Sequence, residues 1–117
     1  MLNSTNSDKL KTVTDALAQI RLAENALDDV IATTVGTEKL RALAGVYNQL
    51  TCAATSLIRA QTTSDDNVFN QVKVSLKVQA DALKASEASI QEIIKDAEIV
   101  GNILGYITEA VALIATL

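Results

Sequence analysis

Between residues 69 and 114, apolar side chains recur at every third or fourth position without a change of phase. Phe69, Val72, Leu76, Leu83, Ile90, Ile93, Ala97, Val100, Leu104, Ile107, Val111 and Ile114 hold this row, and Gln79 and Ser86 fill its polar slots. Alternating steps of three and four line one side of an α-helix, which turns once in 3.6 residues; a strand repeats every second residue. Proline is absent and glycine occurs four times, so the usual residues of hairpins and barrel corners are scarce. Aromatic residues make up 3% of the chain against 49% for all hydrophobic types, which leaves Leu, Ile, Val and Ala to build the core. Those residues suit the seams between packed helices. The chain therefore reads as an all-α protein, one domain over residues 1–117, with antiparallel long helices packed in coiled-coil fashion.

Residues 1–6 form a short polar lead, and Ser7 followed by Asp8 has the character of a helix N-cap with a carboxylate in the first turn. Leu10, Val13, Leu17, Ile20, Leu27 and Ile31 then trace a heptad seam that only Glu24 interrupts, with Ala16, Ala23 and Val30 widening the face. This first helix is predicted to run from about Ser7 to Val35, roughly 43 Å. Gly36 follows where a C′ residue is needed, and Thr37 is placed to cap the next helix. So short a link implies an αα-hairpin. The second helix carries Leu40, Leu43, Tyr47, Leu50, Ala54 and Leu57 and ends near Gln61, before the turn-forming TTSDDN of residues 62–67.

The register after residue 67 predicts a third helix that continues to the C-terminus. The alternative is a break near Gly101 and Asn102 into a fourth. A continuous helix would reach about 75 Å against about 40 Å for its partners, so its excess would need a cover.

Several chemistries lack their residues. There is no histidine, which removes the commonest general base, the Ser-His pair and the Glu-x-x-His di-iron pattern, and one cysteine leaves no zinc site of known composition. No Gly-rich phosphate loop is present. No cofactor and no enzymatic activity are expected. Glu24, Asp28 and Asp29 make an acidic cluster whose simplest reading is a solvated face. Glu24 nevertheless falls in the seam, where Arg59 or a lysine of the third helix reaching it would make it a buried polar contact that fixes register; Gln79 is the second such candidate. Cys52, beside Ala53 and Ala54, is expected to be buried.

The net charge is −4, and residues 65–117 carry all of the excess, with four lysines against eight acidic residues. A chain with no basic stripe and few aromatics lacks both the electrostatic and the stacking terms of nucleic-acid binding. The polar N-terminal residues contain no apolar signal region, so cytoplasmic residence is the expectation.

Residues 99–117 are the most unusual stretch, with Glu109 the one charge and Gly101 and Gly105 in a Gly-x-x-x-Gly spacing. A helix apolar all round is buried in protein or in lipid. The leading expectation is an interaction or adaptor protein that forms a homo-oligomer, in the simplest case a dimer, through Val100, Leu104, Ile107, Val111 and Ile114. One alternative is a membrane-active protein that places this stretch in lipid, where Glu109 would cost about 2.5 to 3.5 kcal/mol. The other is a small-ligand site between the Ala-rich faces.

Overall fold

The computed structural model describes residues 4–117, and side chains from residue 8 onward. The described residues are all helix and connecting loop: α1 is Ser4–Thr33, α2 Thr37–Thr62, α3 Asp66–Ala85, α4 Glu87–Ile93 and α5 Ala97–Ala115. α1 packs on α2, α2 on α3, α3 on α5, and α5 closes the ring against α1. The result is a four-helix bundle 48 Å long and 23 by 20 Å across, with the short α4 following α3.

α1 begins at Ser4, three residues before the expected cap at Ser7, so residues 4–6 belong to the helix; residues 1–3 of the expected lead lie outside the described residues. Nothing in the STN sequence forbids helix, as Gly or Pro would. α1 closes at Thr33, where the Thr34 hydroxyl donates to the Val30 carbonyl at 2.6 Å. Gly36 is the N-cap of α2 rather than a terminal residue of α1, and its φ of 112° is the positive value that makes the reversal. Thr37 is consequently the first helical residue and not the cap.

The last third of the chain departs from the continuous helix. Ser86 keeps near-helical angles (φ −79°, ψ −11°) and makes only a local irregularity between α3 and α4. The reversal comes at residues 94–96, where Ile94 and Asp96 are extended. Asp96 caps α5, its Oδ1 accepting from the backbone N–H groups of Glu98 (3.0 Å) and Ile99 (3.1 Å). Gly101 and Asn102 lie inside α5 and break nothing. The physical reason is length. A straight helix would project tens of ångströms past α1 and α2 with its apolar face bare, whereas reversal lays that face on α1 and α3.

Folding back also selects α5's inward row. Ile103, Ile107, Ala110, Ile114 and Leu117 are buried, and they join Val13, Ile20, Leu27, Leu43, Leu50, Leu57, Phe69, Leu76 and Leu83 in one core. Alanines at positions 16, 23, 53, 54, 60, 80 and 110 are buried among them, and their small side chains allow the helices to approach closely.

Candidate functional site

Among the described residues, one charged side chain is buried: Glu24, 6% exposed, on the side of α1 that faces α2. Its Oε1 accepts from Arg21 Nη1 at 3.1 Å, one turn earlier on the same helix, and its Oε2 accepts from the Thr51 hydroxyl of α2 at 3.3 Å. The expected partners, Arg59 or a lysine of the third helix, are therefore replaced by a local arginine and a threonine. Asp28 and Asp29 are exposed, so the acidic cluster seen along the sequence is divided between the core edge and solvent. No three His, Cys, Asp or Glu side chains among the described residues come together as metal ligands.

Gln79 is half-buried in α3, and its Oε1 is enclosed without a hydrogen-bond partner. The core position falls instead to its neighbour Ala80. With Asn48, Gln49, Cys52 and Ala82, Gln79 lines a cleft of about 290 Å³ between α2 and α3. The inter-helix polar contact there is made by Ser86, whose Oγ donates to Gln49 Oε1 at 2.6 Å. Ser86 was visible as a polar slot in the seam; Gln49 carries no signal of its own along the sequence. Cys52 is exposed on α2, not buried. Successive helical residues point about 100° apart, so Ala53 and Ala54 enter the core while Cys52 turns outward.

The five α5 residues expected at an interface divide into two sets. Ile107 and Ile114 are fully buried within the chain and are unavailable to any partner while the bundle is intact. Val100, Leu104 and Val111 are half-buried at the edge of the core. Val111 lines two surface clefts beside α5, one of about 300 Å³ against α3 with Lys77, Asp81 and Ala115, and one of about 310 Å³ against the junction of α3 and α4 with Lys84, Glu87 and Thr108. The outward side of α5 carries Gly101, Gly105, Thr108 and Ala112, with Glu98 and Glu109 as its charges. α5 is long and apolar enough to cross a membrane.

On its outward face α3 exposes Val74 (64%) and Val78 (66%), one helical turn apart. They are the most exposed large apolar side chains in any helix among the described residues. No signal along the sequence had singled them out, because the inner row of α3 already accounted for its periodicity. Compared with known proteins, the chain matches no family model, no curated protein and no solved structure.

Proposed function

We propose that this chain is a non-enzymatic interaction protein that associates with a second copy of itself, its contact including the outward face of α3. The observation that carries the reading is the pair Val74 and Val78, held in water one turn apart on the outward face of α3. Covering such side chains recovers hydrophobic free energy, at about 25 cal/mol per Å² before association costs. α5 alone is the poorer surface. Its exposed charges are Glu98 and Glu109 with no cation, so two copies of α5 bring together like charges with no opposite charge on either helix to offset them. The test is sedimentation of the purified chain over a wide concentration range. A monomer–dimer equilibrium is expected, and a monomer at every concentration overturns the proposal.

A second reading is supported by the length and apolarity of α5: docking of residues 99–117 into lipid. Insertion would require Ile103, Ile107 and Ile114 to leave the core, so the bundle would have to open. Liposome flotation distinguishes the two readings. Protein that floats with vesicles and loses its protected α5 amides favours lipid docking; protein that stays at the bottom of the gradient with all compositions overturns it.

A further inference from the structure

We propose that two copies of this chain exchange α5: the reversal at residues 94–96 straightens, α3, α4 and α5 become one helix over residues 66–115, and each α5 takes the other's place against α1 and α3. This goes beyond the surface association proposed above, since it uses the seat of α5 and leaves Val74 and Val78 where they are.

The observation that carries the inference is the register. From Phe69 to Ile114 the row that includes Gln79 and Ser86 alternates steps of three and four without an error, and it passes through Ile90, Ile93 and Ala97 straight across the reversal. A loop resets the phase of the helix that follows it, so the folded-back bundle makes no demand for this continuity. The bundle also uses the row incompletely. Ile93, Val100, Leu104 and Val111 are only half-buried and Ala97 is exposed, while α5 encloses Ile103 and Ala110, one residue before Leu104 and Val111. A strict seven-residue repeat has its full use in a long helix that supercoils with another.

Symmetry asks for the same row. In the exchanged pair two long helices lie antiparallel about a two-fold axis, α3 of one beside α5 of the other. Each helix then meets its neighbours in the same order at both ends, so α5 must turn toward the partner's core the side that α3 turns toward its own. Leu104, Ile107, Val111 and Ile114 continue that side. α5 therefore enters the second copy rotated by about 50°, keeping Ile107 and Ile114 inward and trading Ile103 and Ala110 for Leu104 and Val111.

The hinge permits the change. Ile94, Lys95 and Asp96 include neither Gly nor Pro, so a helix interior accepts all three. Straightening gives up the Asp96 cap and gains the helical hydrogen bonds missing on both sides of the break. The apolar length that a lone straight helix would leave bare is covered by the second copy, on the same two helices that α5 packs against in the bundle.

The experiment is refolding of the full chain from urea at about 1 µM and about 500 µM, followed by size-exclusion chromatography and a distance measurement between spin labels. Lys84→Cys and Thr108→Cys carry the labels in a Cys52→Ser background, and an excess of unlabelled chain keeps label pairs within one copy. Both positions border one cleft in the bundle, so the labels are close there; in a continuous helix they stand about 36 Å apart. A dimer from the concentrated sample showing the long distance is expected. Asp96→Ala weakens only the folded-back form, by about fivefold per chain, and should tighten the dimer about 25-fold. Lys95→Pro should abolish it, since proline is excluded from a helix interior, and Lys95→Gly should weaken it should the proline variant melt early. A dimer with only the short distance, lost in Val74→Ser with Val78→Ser, is the surface association and overturns the exchange while sparing that reading. No dimer after concentrated refolding, or a dimer indifferent to Asp96→Ala and to the Lys95 variants, also overturns the exchange.

Discussion

The Thr51 hydroxyl of α2 donates to Glu24 Oε2 of α1 at 3.3 Å, and it is the contact from a neighbouring helix to the bundle's buried carboxylate. Arg21, about half exposed, supplies the other partner from the same helix. A carboxylate so placed has lost most of its water and regained one cation and one hydroxyl, an exchange that seldom stabilises a fold as well as an apolar side chain does. What it adds is alignment, since a shift of α1 along α2 would strand the charge.

Glu24→Leu is therefore expected to stabilise the monomer, by about 1 to 2 kcal/mol, because Leu continues the row from Ile20 to Leu27. Thr51→Val should cost about 1 kcal/mol when Glu24 is present and nothing when it is Leu. Urea denaturation of the four proteins measures both. A lower midpoint for Glu24→Leu would mean that the carboxylate contributes net stability.

The placement of α5 separates side chains that look equivalent along the sequence. Ile107→Ala and Ile114→Ala each remove a wholly enclosed side chain and should cost about 2 to 4 kcal/mol, whereas Val111→Ala, at the core edge, should cost about 1 kcal/mol or less. Equal losses at all three positions would show that α5 packs in a different rotation.

These same residues explain how much was legible beforehand. Apolar spacing is a local property, so the helical class, the α1–α2 hairpin and most of the first two inner rows could be read from it. Two rows on α5 share Ile107 and Ile114: one adds Leu104 and Val111, the other Ile103 and Ala110, and both keep heptad spacing. Only the neighbours α1 and α3 decide between them, and their positions are long-range information. The reversal at residues 94–96 was hidden for a related reason. Ile90, Ile94, Ile103 and Ile107 all enter the core from both sides of it, and a row of core residues does not record that the chain has changed direction. Glu24 was legible as an interruption of a row; Thr51 was not, because which α2 residue meets it depends on the register between two helices.

The reversal itself has a testable local cause. Asp96 satisfies two otherwise unpaired N–H groups at the start of α5, as Asp65 does for Asn67 and Val68 at the start of α3. Asp96→Ala is expected to cost about 1 kcal/mol and to speed amide exchange at Glu98 and Ile99 while leaving Asn67 and Val68 unaffected. Exchange at Glu98 and Ile99 that does not change would show that the cap is not what holds the end of α5.

Glycine-to-alanine substitution should have opposite signs at different sites. At Gly101 and Gly105 an added Cβ meets nothing within 4 Å, and both residues are helical, so each change to Ala should stabilise the monomer by about 0.5 to 1 kcal/mol, equivalent to a few degrees in Tm. Gly36 has equal space around it but a φ of 112°, so Gly36→Ala should lower Tm through backbone strain alone. Thermal melts of dilute protein, where association is negligible, compare the three. A fall in Tm on Gly105→Ala, in place of the expected rise, would mean that α5 lies closer to the rest of the bundle at this position than the open space around Gly105 implies.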